Sequence, residues 1–446
     1  GKHVSLKFLE LTEIRDSLRN AVRESYVKII IDGTPVTLSS GNYNLPVPVG
    51  KIQIDCQVTK GYLTNVITNS WGLTKDARFR LWPLGTPFIG KGTFCYPIKQ
   101  DWMASVTQMG NEPVYVDWGE DASDKKIYYH SGLDFGGTEG IEEIVSATDG
   151  TVVSVGDKIL NGHQDVLNEK KRYDVIYILD RRGWYYRYSH ADSIIAGIKP
   201  GMKIKKGQKI AYVGKEGASG GWVHLHFEIM NKTNSGQWGT EDAYVYAWEA
   251  FRNQYKPSVV GVARPHHFVS VNQKVLLDGS KSISPNDKIV SYFWFLSNGK
   301  TVEGPKQEIS YGKPGEYSEV LKVTDLKGNI DYDFTTVLVN EKDQGGKHVP
   351  TIHAAFYPTQ GIKAGQKVTF SVRTFYSGTG NEIWNFGDGT PTVSVKSGAV
   401  LRSDPRQGKY AQTQHSYKSP GHYIVTVEHT NEYGYKATAK LHIKVN

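Results

Sequence analysis

The 446-residue chain is 39% hydrophobic and 22% charged, which excludes a disordered polymer, and it is long enough for three or four domains. No stretch reaches the roughly 18 consecutive apolar residues of a membrane-spanning helix. The net charge of +8 favours polyanions such as bacterial walls and acidic polysaccharides, and the lack of any nucleic-acid-binding motif or dense basic helix excludes nucleic acid. Residues 1–85 predict a small β-rich domain that packs beside the rest or helps wall a cleft. Thr12 is expected to cap a helix with Ile14, Leu18, Ala21 and Val22 on one face. Val27–Ile31 and Ile52–Val58 predict strands, with a turn at Asp32-Gly33. Two cysteines, Cys56 and Cys95, fall in different predicted segments and leave a single disulfide open.

Residues 86–252 carry the chemistry. In the predicted strand His224-Leu225-His226-Phe227-Glu228, side chains two apart point the same way, so Leu225 and Phe227 enter a core while His224 and His226 share a groove. Upstream, His130-Ser-Gly-Leu-Asp134 sets an imidazole and a carboxylate four residues apart. Together with an imidazole of the strand they make a three-ligand zinc site whose fourth position stays open for water, the arrangement of catalytic zinc. Gly136-Gly137 predicts a tight turn after Asp134. The polar stretch 157–172 predicts a substrate-facing flap or a surface insertion. Val175–Leu179 and Trp184–Tyr188 predict a hairpin leading to His190. The glycine-rich segment 214–221 lacks phosphate-loop spacing and is expected to bring the chain close against its neighbour before His224. Glu228 is expected either to orient an imidazole or to face solvent.

From residue 253 short alternating segments follow, and the plan repeats, predicting β-sandwiches over 253–343 and 344–446. Asn385-Phe-Gly-Asp-Gly-Thr390 with Pro420–Val427 resembles a PKD-type module, as do Leu277–Ser282 and Pro314–Asp325 of the first copy, where Phe295-Leu-Ser-Asn-Gly299 replaces the Phe-Gly-Asp-Gly turn. The modules are expected to be spacers, with calcium at Asp287 or Asp325 weakly signalled.

The ordered set His130-x-x-x-Asp134, Tyr188-Ser-His190 and His224-x-His226 resembles the lysostaphin/LytM-type zinc endopeptidases, as do the strand-turn-strand pieces Val145–Val153 and Ile198–Gly214. The resemblance implies a mainly β fold with an antiparallel catalytic sheet, His130, Asp134 and His226 as zinc ligands, and His190 and His224 as the catalytic pair. Trp222-Val223 stands where that family more often has a small residue and proline, which bears on substrate preference.

The expected reaction is peptide-bond hydrolysis, in wall peptidoglycan cross-links or an extracellular protein, by a secreted or cell-envelope monomer. Zinc would lower the pKa of its water to about 7. His224 is the expected general base, and His190 is expected to hydrogen-bond the developing oxyanion. The alternative is a polysaccharide lyase on a uronic-acid glycan. It would use the same metal groove with a His base and a Tyr acid from Tyr128, Tyr129, Tyr186 or Tyr188.

Overall fold

The structure, a computed structural model, describes residues 3–16, 20–41, 43–63, 69–88, 90, 92–115, 127–167, 170–341, 347–398 and 408–446. The first sheet orders Leu6–Arg15, Val22–Ile31, Thr34–Ser40, Ile52–Thr59 and Val47–Val49, with Ala77–Pro83 on the free side of Ile52–Thr59. Both expected strands lie in it, but the expected helix does not form. Thr12 and Ile14 are strand residues facing Tyr26 and Glu24, and Ala21 and Val22 are buried at the start of the next strand. The apolar spacing mimicked a helical face. The β-branched run of Val22–Ile31 supplies a better partner along the whole strand than a helix would find. Leu18 lies outside the described residues.

The central unit is an antiparallel sheet ordered Lys158–Ile159, Gly150–Val155, Ile176–Leu179, Tyr185–Ser189, His224–Lys232, Leu133–Gly136 and Thr107–Gln108. A three-stranded sheet of Glu143–Val145, Lys209–Val213 and Ala191–Ile194 packs on it. Leu133, Phe135, Leu225 and Phe227 enter one core with the helix Tyr244–Tyr255, whose Ala247, Trp248 and Phe251 pack beside Trp102 and Tyr96. That helix ends at Lys256 in the left-handed conformation, with Pro257 barring its continuation.

Two sandwiches follow, with cores around Trp294, Leu321 and Val337 in the first and Phe370, Trp384 and Val425 in the second. They join edge to edge, because Gly315–Asp325 pairs in parallel with Lys436–Val445 at Gly315↔Lys436 and Glu316↔Ala437. They also grip the central unit. Arg264, almost wholly buried, pairs with Glu112, and the Asp333 carboxylate accepts the Ser105 N–H at 2.9 Å. On the other side, Arg80 of the first sheet bridges Asp55 and Glu241 at 2.5 and 2.9 Å. Cys56 and Cys95 are both free thiols, Cys56 in the first core and Cys95 beside Ser146. Asp325 serves its own turn, accepting the N–H groups of Lys327 and Asn329. Among the described residues no helix is long and apolar enough to cross a membrane.

Candidate active site and metal centre

Strand register brings the motif residues together. In the pair Leu133–Gly136 and His224–Lys232, Asp134 faces His226 and Gly136 faces His224; from the other side Ser189, one residue before His190, also faces His226. Side chains opposite one another on a sheet stand about 4.5–5.5 Å apart at Cβ, so side chains distant in sequence converge without a loop having to close. His130 enters from the bend before Leu133.

The His226 Nδ1 lies 2.8 Å from Asp134 Oδ1 and 3.0 Å from His130 Nε2, and His130 Nε2 lies 3.1 Å from the same Asp134 oxygen. All three side chains are buried. His130 Nδ1 is 3.1 Å from the Met109 carbonyl, so it carries the proton and leaves Nε2 bare. A cation among them, a shared proton or a metal ion, lets two ring nitrogens and a carboxylate oxygen stand this close together. A tetrahedral zinc with bonds of about 2.05 Å would set its ligand atoms about 3.3 Å apart, close to these separations. Burial would raise the Asp134 pKa, but the imidazoles of His130, His224 and His226 hold it well below the usual carboxylate range. Among the described residues this is the group of His, Cys, Asp and Glu side chains whose ligand atoms meet closely enough for a metal ion, and neither Asp287 nor Asp325 belongs to another.

His190 and His224 stand beside it, with ring centroids 4.5 Å apart, and His224 Nε2 lies 3.5 Å from Asp134 Oδ2. His224 Nδ1 donates to the Trp222 carbonyl at 3.0 Å, and the Trp222 ring stacks on the imidazole at 4.1 Å. His190 Nδ1 donates to the Glu216 carbonyl at 2.7 Å. Each histidine thus keeps its Nε2 free of a proton. Burial pushes the His224 pKa well below its ordinary value and lowers that of His190, so both are neutral near pH 7 and able to accept a proton.

One residue of the site, Asp174, carried no sequence signal. His190 sits at φ 68°, a conformation unusual for a non-glycine residue, and its N–H donates to Asp174 Oδ2 at 2.9 Å. Asp174 is buried and paired to Arg172 at 2.6 Å, so the carboxylate that holds His190 is itself held. Arg172 is also where the expected flap meets the groove. Elsewhere in that stretch the short helix Gln164–Leu167 turns Leu167 into a core, and Asn168 and Glu169 lie outside the described residues. Glu228 is buried rather than solvent-facing. It lies 3.9 Å from His226 Nε2 and 3.2 Å from Arg187, and it accepts from Thr240. Gly136 and Gly137 keep ordinary φ angles, so they serve close packing rather than a turn: a Cβ on Gly136 would meet the Val106 carbonyl at 2.9 Å. Gly214 behaves as expected, since a Cβ there would meet the Asp192 N at 2.3 Å.

The groove holds about 800 Å³ and draws on all four units: Arg23 from the first sheet, the motif residues, Phe268 and Glu316 from the first sandwich, and Ile352, His353 and Phe375 from the second. The modules expected as spacers are therefore walls. Of the four tyrosines considered as an acid, Tyr128 lines the groove. Tyr129 accepts the Val22 N–H, Tyr188 accepts the Ala147 N–H, and Tyr186 bonds Asp180 within the fold.

Residues 128–237 match peptidase family M23, and residues 256–339 and 353–445 each match the PKD domain. The chain is 30% identical over 154 residues to the peptidoglycan DD-endopeptidase ShyB of Vibrio cholerae, an alignment covering 34% of this chain and 32% of the relative. It is 29% identical over 123 residues to a microbial collagenase of Vibrio alginolyticus, covering 25% of this chain and 15% of the relative. The chain thus spans a third or less of either relative's length. A mutant catalytic domain of the prophage-encoded M23 protein EnpA from Enterococcus faecalis is similar at 22% identity, over 36% of this chain and 95% of that one, with a TM-score of 0.22.

Proposed function

We propose that this chain, which holds an M23 peptidase domain followed by two PKD domains, is an extracellular or envelope zinc endopeptidase that hydrolyses peptide bonds in cell-wall peptidoglycan. The observation that carries the reading is the meeting of His130 Nε2, Asp134 Oδ1 and His226 Nδ1 within 3.1 Å beside two neutral histidines. The donor set, two imidazoles and one carboxylate, suits zinc and leaves one tetrahedral position for a non-protein ligand. Zinc held there would acidify water and polarise the scissile carbonyl.

The rest belongs to the chain's own side chains. His224, neutral and with a bare Nε2 next to Asp134, takes the proton of the attacking water and returns it to the leaving amine. His190, held by Asp174 and the Glu216 carbonyl, stands across from it to stabilise the oxyanion; donating that hydrogen bond requires its Nε2 to take up a proton. Glu228 sets its carboxylate 3.9 Å from the far ring nitrogen of His226, near enough to act on the ring by charge but not by a hydrogen bond. Peptidoglycan is the favoured substrate because ShyB is a peptidoglycan endopeptidase and because the net charge of +8 suits an anionic wall.

The test is a product assay on isolated peptidoglycan, collagen and acidic glycans, with and without a chelator followed by zinc. New primary amines from peptidoglycan, abolished by chelator and restored by zinc, are the expected result. Absorbance from unsaturated uronic acid without new amines would overturn the reading in favour of a lyase.

A further inference from the structure

The unabsorbed feature of the sequence is Trp222, the large residue that precedes His224. Its segment is poorly anchored by its own composition: Gly220 and Gly221 both sit at positive φ, 70° and 79°, and glycines bring no side chain to pack. Main-chain polar groups buried there need partners from elsewhere. Two of them find partners in the second sandwich. Arg373 Nη1 donates to the Gly221 carbonyl at 2.7 Å, and the Tyr410 hydroxyl accepts the Val223 N–H at 3.1 Å, so the chain is gripped on both sides of Trp222. His353 meets the Trp222 ring edge-on at 5.4 Å, and its Nδ1 accepts from the Tyr410 hydroxyl at 2.8 Å. That imidazole stays neutral because burial and the nearby Arg373 push its pKa down to about 4.

The three gripping residues come from one small sheet. His353 faces Arg373 across Thr351–Tyr357 and Lys367–Phe375, and Val372 faces Ala411, which puts Tyr410 beside Arg373. Trp222 in turn holds His224 twice, by stacking at 4.1 Å and by its carbonyl on Nδ1 at 3.0 Å.

We propose that Arg373, Tyr410 and His353 are positioning residues of the active site: the second sandwich sets the orientation and tautomer of His224 by gripping Gly221, Trp222 and Val223. This rests on the reading of His224 as general base. The sandwich therefore acts on turnover through the groove rather than by tethering the enzyme to its substrate.

The experiment uses the full chain carrying Tyr410→Phe, Arg373→Met or Arg373→Lys. It measures kcat and KM on a fluorogenic peptide cleaved by the wild type, bound zinc, and amide hydrogen exchange by mass spectrometry. Tyr410→Phe and Arg373→Met should each lower kcat about tenfold with KM within about twofold and zinc unchanged. Exchange should rise in peptides covering 219–224 alone, and Arg373→Lys, which keeps one donor, should recover most of the loss. Unchanged kcat with unchanged exchange would overturn the proposal, as would zinc lost in step with activity or exchange rising evenly across 128–237. Local exchange gain in a protein that cleaves no peptide would uphold the grip while sinking the peptidase reading.

Discussion

His130, Asp134 and His226 are held by the register of one strand pair and the bend beside it; His224 opens the same strand but its ring is also set by Trp222 and a separate module, and His190 depends on a turn and one acidic side chain. The first set has backbone hydrogen bonds on both flanks and Leu133, Leu225 and Phe227 buried behind it. The second set hangs from Asp174, the Glu216 and Trp222 carbonyls and the 220–223 turn. Placement of the proposed metal ligands is thus a property of the sheet. Orientation of the two histidines proposed for proton transfer also draws on the assembled molecule, although His224 shares the strand of His226.

The largest effect should come from His226→Ala. Removing one of three ligands should abolish stoichiometric zinc and lower kcat/KM by roughly 10³-fold or more, since a Lewis-acidic metal supplies several kcal/mol. Metal analysis together with kinetics checks it, and full zinc occupancy would break the assignment. His224→Ala should leave zinc in place while lowering kcat by roughly 10²-fold or more. If zinc fell as in His226→Ala, the two sets would not be separable and the contrast would collapse. Asp174→Asn should do less, about 10-fold in kcat, because the amide can still accept the His190 N–H while its charge pairing with Arg172 is lost. A steady-state assay with zinc determination distinguishes that outcome from a folding defect.

What was legible in the sequence follows the same division. His224-x-His226 could be read because strand side chains alternate, and the alternation that buries Leu225 and Phe227 aims both imidazoles into the groove. The β-sandwiches were legible through alternating strands and the Asn385-Phe-Gly-Asp-Gly turn. The helix expected from Thr12 failed because its apolar positions belong to two strands, Ile14 to Leu6–Arg15 and Ala21 and Val22 to the start of Val22–Ile31, and only the pairing of those strands reveals it. Asp174, Arg373 and Tyr410 were not legible, since nothing in their local patterns marks them and their partners lie 16, 152 and 187 residues away. The spacer expectation fell for the same reason. A module's own strands say nothing about which of its surfaces will line another unit's groove.

The smallest effect sharpens the contrast from the sheet's side. Glu142 is fully buried, its Oε2 accepts the Thr138 N–H at 2.7 Å four residues past Asp134, and its other oxygen has no partner among the described residues. Burial pushes its pKa from 4.5 up to about 8. Between those values the folded chain binds a proton that the unfolded chain releases, so this contribution to stability is fully present below about pH 4.5 and is lost as pH rises through about 8. Glu142→Gln keeps the shape without the titration. Melting curves from pH 5 to 9 should therefore show the wild type losing about 2–4 °C relative to the variant. Zinc content at pH 7 should be equal in the two, because the strand pair, not this carboxyl, places the ligands. Parallel melting curves would mean that the carboxyl is ionised in the folded chain; unequal zinc would mean that the exit of the Asp134 strand, and not register alone, sets the metal site.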